Sequence, residues 1–384
     1  MIASLGAMVR WAETVLLEVG FGESSELDST FGTWRLGSNV DGWDMLRIIL
    51  VLWLGIGSGA FSRKGTAEST PWRCEVIPQA GHQISVCLDG VERTRWHFGN
   101  DSPRPYFFPF VGPSGASLTR IGHPGAPDHD HHRSIWFAHH RIDGIDFWSD
   151  QGKGRVRQKQ WYAFDDSETQ ATMAVALGWY GGDGKEVLEQ DLVTAMRPGE
   201  NGEVLLEIQS TFRPPKGKAQ VELGKTNFGF LAVRVAKSVS THFGGGIITD
   251  SEGRVGESAI FGKRSRWMDY SGRVPDGDGQ DRRWVNEGIT VFDHPANPRH
   301  PCHWHVRGDG WMGASFGMQE GLVLSQGEAL TLRYLLHGHR GPIDRARAEQ
   351  LALSFAKIPR FVVRTSQRRH LQYDVVRESV TPGE

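Results

Sequence analysis

"ATMAVALGWYGGDGKEVLEQDLVTAM", residues 171–196, decides the fold class. Two apolar segments flank Gly181-Gly182-Asp183-Gly184, the pattern of two antiparallel strands joined at a glycine-rich turn. The same style extends in both directions from Trp72 onward. "CEVIPQAGHQISVCLDG" (74–90) reads as a hairpin, and "GEVLLEIQSTFRP" (202–214) and "FGFLAVRVAKSV" (228–239) read as further strands. One stretch reads as helix, "PIDRARAEQLALSFAKI" (342–358), where Ala346, Leu351, Leu353 and Phe355 give an incomplete apolar face and Pro342 precedes the start. "DYSGRVPDGDGQDRRWVNEG" (269–288) is low in hydrophobicity and reads as a long loop. One helix cannot cover so many strands, so sheets must pack on each other. The expected architecture is all-β, a large antiparallel β-sandwich with one short C-terminal helix.

The composition agrees, with 14 Trp and 48 Gly among 384 residues. A net charge of −2 removes the electrostatic case for a nucleic-acid partner, which needs a concentrated basic surface. Cys74, Cys87 and Cys302 allow at most one disulfide and include no CxxC pair; a Cys74–Cys87 hairpin bridge and three free buried thiols both remain open.

The N-terminal part divides by composition. "MLRIILVLWLGIGSGAFSRK" begins at Met45, with Arg47 as its positive start, Ile48 to Ile56 as its apolar run, and small residues around Ala60 and Ser62, as in a secretory signal. Its uncharged run is short for a membrane span, which needs about 20 residues. Residues 1–44 hold seven acidic and two basic residues, the reverse of a signal's start. The expected division is therefore 1–44 a gene-model extension, 45–62 a signal peptide, 63–70 a linker, 71–364 a single β-sandwich domain and 365–384 a polar tail. The expected location is secreted or periplasmic, with no stable membrane span after cleavage.

Function is concentrated in the histidines. Twelve of 16 fall in three windows: His123 to His140, His294 to His305, and His337 with His339. In "HPCHWHVRGDGW" (300–311), strand alternation sends His303, His305 and Arg307 to one face. In "ALTLRYLLHGH" it sends Thr331, Arg333, His337 and His339 to one face and Leu330, Leu332, Tyr334 and Leu336 to the other. "PDHDHHRSIWFAHHR" (127–141) opens as a loop, and alternation puts His140 rather than His139 with Trp136 and Ala138. Imidazoles beside arginines suit acid/base work on a polar substrate. The same imidazoles with carboxylates also suit a divalent metal. "RIDGIDFWSDQGKG" (141–154) adds Asp146 and Trp148, an aromatic face beside a carboxylate, which suits a sugar ring.

The runs "RPYFFPFVGPSGASLTR", "DHDHHRSIWFAHHRIDGIDFWSD", "FGFLAVRVAKSV", "ITVFDHPANPRHPCHWHVRGDGW" and "GEALTLRYLLHGH" together resemble the secreted PmoA-type family, a domain of unknown function that carries a methane-oxygenase name. Asp130 departs from the family's Asp-His-Pro-His-His loop. The resemblance implies polysaccharide or sugar-derivative catabolism, and the strand pattern is similar to galactose-mutarotase-like sandwiches. The sequence thus points to a carbohydrate-active enzyme, a hydrolase, lyase or isomerase. His129, His132 and His303 are its acid/base candidates, and Arg133, Asp146, Trp148, Arg307, His337 and His339 its saccharide contacts. The alternatives are a non-catalytic carbohydrate-binding module, and a metal-dependent hydrolase or oxygenase holding its divalent metal on His131, His303 and His305. N-terminal sequencing of the exported protein is expected to find a mature start just beyond Ala60 or Ser62; a start before Met45 would overturn the division drawn above.

Overall fold

The computed structural model describes residues 73–379 except 124, 126–128 and 278. The expected extension, signal peptide and linker, residues 1–70, lie outside the described residues. Two eight-stranded antiparallel sheets form the body. The first runs, edge to edge, β1 (Cys74–Gln79), β2 (Gln83–Leu88), β3 (Val91–His97), β4 (Tyr106–Phe110), β5 (Ile135–His139), β11 (Gly229–Arg234), β16 (Trp311–Ser315) and β15 (His303–Arg307). The second runs β12 (Ile247–Asp250), β13 (Trp267–Asp276), β14 (Arg283–Asp293), β18 (Leu330–Arg340), β9 (Val204–Arg213), β8 (Glu186–Pro198), β7 (Ala171–Tyr180) and β6 (Arg155–Asp165). Two small ladders complete it, β10 (Gln220–Leu223) with β17 (Leu322–Ser325), and β19 (Phe361–Thr365) with β20 (Tyr373–Arg377). The hairpin expected at residues 171–196 is β7 and β8, paired from Ala171↔Met196.

The sheets pack face to face through alternate residues. Phe137 of the first sheet lies 6.3 Å from Tyr334 and 6.4 Å from Phe212 of the second, and Phe212 stacks on Phe230 at 4.5 Å, ring centre to ring centre. Leu332, Tyr334 and Leu336 face this core, as alternation predicts for β18. The other face of β18 carries Leu335, which packs with Trp267, Phe292, Ala348 and Phe355 under the helix Arg345–Ala356. Asp344 caps that helix by accepting from the Arg347 N–H at 3.1 Å. Two four-residue helical turns, Thr241–Gly244 and Glu257–Ile260, add to the one helix expected. Cys74, Cys87 and Cys302 are buried free thiols, so the hairpin carries no bridge. Among the described residues no helix is long and apolar enough to cross a membrane.

Two expectations change. Most of residues 269–288 is not a loop but belongs to β13 and β14. Gly277 and Gly279 lie in the turn between the two strands, but Gly272 and Gly288 lie within them, where they mark close approach. A Cβ on Gly272 would lie 2.6 Å from the Val239 Cα, and one on Gly288 would lie 2.7 Å from His339 Nε2. The polar stretch from residue 365 also contains a strand, β20. Glu207, fully buried, draws Arg377 to 2.7 Å while also holding Arg333 at 3.0 Å, and Val375 packs near Phe361. A polar sequence read alone does not reveal a buried counter-charge waiting for it.

Phe212 joins both sheets, so Phe212→Ala should cost about 3–5 kcal/mol of stability. A urea midpoint unchanged from wild type would show that the inter-sheet contact contributes little.

Candidate functional site

The outer face of the first sheet carries a second apolar cluster of Trp136, Ala138, Ala232, Trp311 and Trp148, with Phe228 and Tyr106 against it. Trp136 and Ala138 alternate with the core-facing Ile135 and Phe137 on β5, so one strand feeds both layers. Above this cluster opens a cleft of about 430 Å³, lined among others by His129, His131, His132, His140, Trp148, Phe228, His305, Arg307, Asp309 and Trp311. That volume suits a small ligand.

The loop that supplies the histidines is pinned from below. Arg104, buried, donates to the carbonyl oxygens of Phe147 (3.0 Å), Trp148 (2.6 Å) and Ser149 (3.1 Å), and to Asp150 Oδ1 at 3.1 Å. It also reaches the His131 carbonyl at 3.4 Å, which ties the histidine loop to the Trp148 loop. Arg133 completes the staple through Asp150, at 2.9 and 2.7 Å. Asp146 shapes the second loop by accepting from the Trp148 and Ser149 N–H groups and from Ser149 Oγ. Across the cleft Asp309 is gripped by the buried Arg234 at 2.7 and 3.2 Å and by His123 at 3.1 Å. Burial works against the Asp309 carboxylate, but Arg234 holds its pKa below the ordinary value.

The imidazoles form a continuous run of rings. His129 lies 5.1 Å from His132, which stacks at 5.5 Å on Trp136 and 5.8 Å on Trp311; Trp311 meets His305 edge-on at 3.8 Å. Burial among indoles disfavours charge. The pKa of His305 is pushed down to about 3 by burial and by Arg307, and that of His132 lower still by burial and by His131. His305 Nδ1 sits 3.1 Å from the Asn227 carbonyl, which only accepts, so the proton is on Nδ1 and Nε2 presents a lone pair. His305 Nε2, His132 Nδ1 and Trp311 Nε1 are all buried without a hydrogen-bond partner.

Of the expected site residues, His129, His131, His132, Asp146, Trp148, His305 and Arg307 come together here. Four do not. His303 shares the face of His305 but stands two residues before it, at the start of β15, roughly 7 Å away, where its backbone bridges Arg264, and it does not line the cleft. Arg133 is committed to Asp150. His337 and His339 sit on the outer face of the opposite sheet, bonded to Glu203 at 2.9 Å and Asp269 at 2.8 Å. Alternation assigned their face correctly, but the whole sandwich separates that face from the cleft. The expected metal set of His131, His303 and His305 therefore does not assemble, and among the described residues no group of three or more His, Cys, Asp or Glu side chains is placed to hold a metal ion. Sequence reasoning missed Phe228, Asp309, Arg104 and Trp311. The last lay within the quoted 300–311 stretch, on the same alternation as the other cleft-facing residues once the Gly308–Gly310 turn is counted.

The chain belongs to the DUF6807 family. The match covers residues 83–353, and the family is described as one of unknown function. That description bears out the unknown-function part of the resemblance and carries no methane-oxygenase name. The five motifs quoted for the resemblance fall within the matched span of this DUF6807 protein. No curated protein matches the chain. Among solved structures a polysaccharide lyase is similar at 11% identity and a TM-score of 0.26, over 76% of this chain and 35% of the lyase chain, so the chain spans about a third of that protein's length.

The buried imidazoles give the fold an acid sensitivity of definite sign. The His139 pKa, between the sheets, is pushed to about 3 by burial, as is that of His305, against an ordinary value of 6.5. The unfolded chain binds a proton on each below about 6.5 while the native state does so only near 3. Stability is therefore full above pH 6.5 and falls as the pH drops toward 3, by about 1.4 kcal/mol per pH unit for each imidazole. Urea midpoints between pH 7 and 4 should show this slope, and His139→Phe should flatten it. An unchanged slope in the variant would remove His139 from the account.

Proposed function

We propose that this protein is a carbohydrate-active enzyme that binds a saccharide or sugar derivative in the His-lined cleft and transforms it by proton transfer. The observation that carries the reading is a single concavity lined together by the aromatic side chains Trp148, Trp311 and Phe228 and by the more accessible imidazoles His129, His131 and His140. Trp148, Trp311 and Phe228 offer apolar faces for a ring's C–H groups, and the imidazoles offer hydrogen-bond sites for its hydroxyls.

The carboxylates favour elimination or isomerisation over hydrolysis by a pair of free acids. Asp146 is occupied by its own loop and Asp309 by Arg234 and His123. His129 is the acid/base candidate, because it is half-exposed at the cleft and can exchange protons with water, whereas His132 and His305 are sealed. A non-catalytic binding module would present exposed aromatics; Trp148 and Trp311 are instead 4% and 3% exposed within a concavity.

A thermal-shift screen of saccharides should find a ligand that raises Tm in proportion to occupancy. His129→Ala should then lower turnover of that saccharide by about 10²–10⁴-fold with affinity nearly unchanged. Full turnover in the variant would remove His129 from the chemistry, and a screen without a single stabilising saccharide would overturn the reading.

A further inference from the structure

The strand that follows the Trp148 loop carries cations that the cleft does not use. Val156 of β6 faces the core, so its neighbours Arg155 and Arg157 point outward from the sheet. With Lys153 they line a broad, open groove of about 950 Å³, which Ile145, Tyr180 and the turn 181–184 of the β7–β8 hairpin also line. Gly182 lets the lysine lie against that turn, since a Cβ there would sit 3.0 Å from the Lys153 Cβ. All three cations are within reach of solvent: Lys153 is exposed, and Arg155 and Arg157 are half-buried.

Their charge is unmatched. Among the described residues Lys153, Arg155 and Arg157 form no ion pair, although Lys159, two residues on, meets Glu186 at 2.8 Å and Glu189 at 3.3 Å. Asp183, which also lines the groove, is paired with Lys185 at 3.5 Å. Arg157 is fixed in place by the carbonyl oxygens of Ser102 (2.9 Å) and Pro103 (3.1 Å), and Arg155 gives only Nη1, to those of Gly152 (2.5 Å) and Gly154 (2.7 Å). Neutral carbonyls hold a guanidinium without cancelling its charge. Arg155 Nε and Nη2 are bonded to nothing among the described residues and, unlike the bare Nε of Arg234, are not shut away from solvent. Burial, and then the repulsion of Arg155 beside it, holds the Arg157 pKa below its ordinary value, so two like charges stand side by side at the groove. An oxyanion relieves that repulsion and accepts from the planar pair of donors that Arg155 offers.

We propose that this groove is a second binding site, for the carboxylate or sulfate groups of an acidic saccharide that also enters the His-lined cleft. One loop stands between the two: Asp146, Trp148 and Ser149 line the cleft, while Ile145 and Lys153 line the groove. Its arms pack without a side chain between them, since a Cβ on Gly152 would lie 2.5 Å from the Asp146 carbonyl oxygen, and an oligosaccharide crossing the loop lies in both sites. The cations form one short patch in a chain of net charge −2, which fits a few acidic groups rather than a long polyanion. The proposal rests on the saccharide reading and names its substrate class as acidic oligosaccharides.

Titration calorimetry with matched probes tests it: tetramers of galacturonate, glucuronate and mannuronate, each as the free acid and as its uncharged methyl ester. At least one acid should bind at least ~10-fold more tightly than its ester, and that advantage should shrink as salt is added. Lys153→Glu, at an exposed side chain with no bond to lose, turns an attraction into a repulsion and should weaken the acid by about tenfold while leaving the ester unchanged. Arg155→Gln should act in the same direction, with its melting temperature establishing that it folds. Lys357→Glu, the same change of charge at an exposed lysine that lines neither site, should alter nothing. Esters that bind as tightly as the acids, or acid binding untouched by Lys153→Glu, would overturn the proposal while leaving the saccharide reading standing. Inorganic phosphate that binds as tightly as the acid tetramers would make the groove a site for a free anion and overturn it as well. If neither acids nor esters bind, both readings fall together.

Discussion

A sheet has two faces, and in this protein only one face of each large sheet is consumed by the other. The contact of Phe137 with Phe212 and Tyr334 is the constraint from which the remaining architecture follows. Every strand in it must alternate, sending half its side chains to the shared core and half outward. The outward halves still carry large apolar groups, and each sheet covers them differently. The second sheet lays the helix Arg345–Ala356 over Leu335, Trp267 and Phe292. The first leaves Trp136 and Trp311 under two loops, and the space between those loops and the sheet is the cleft.

Loops alone are poor walls for a binding site, since their backbone groups are not tied into a ladder. Arg104 supplies the missing rigidity. Its guanidinium is buried, which pushes its pKa down to about 10, yet Asp150 and a fan of backbone carbonyls hold it in the charged form at neutral pH. One side chain thereby sets the position of His131 relative to Trp148, two elements 17 residues apart in the chain.

The histidines illustrate how environment divides one residue type into two roles. His339, with Asp269 at 2.8 Å, has its pKa raised even though burial opposes the charge, and His337 bonds Glu203; these are members of a structural network under the helix. His132 and His305, set among indoles with no carboxylate bonded to them, are kept neutral and retain an unpartnered nitrogen each. A carboxylate partner thus raises the pKa of His339 against its burial, whereas burial among indoles lowers those of His132 and His305.

Alternation is a local property, and the sequence by itself determined what alternation controls. The all-β class, the hairpin at residues 171–196, the split of β18 into an apolar and a polar face, and the choice of His140 over His139 for the cleft all follow from a period of two in the chain. His129, His131, His132 and His140, read as one cluster in the sequence, do line one cleft together with His305. Tertiary structure decided what depends on distance. It placed His337 and His339 on the far side of the sandwich, left His303 beyond the end of the cleft, and committed Arg133 to Asp150. It also turned Gly272 and Gly288 from apparent loop residues into points of close contact, and drew Arg377 onto a buried Glu207. A period tells which way a side chain points; what it meets there is set by strands that may be two hundred residues away in sequence, and no local pattern records them.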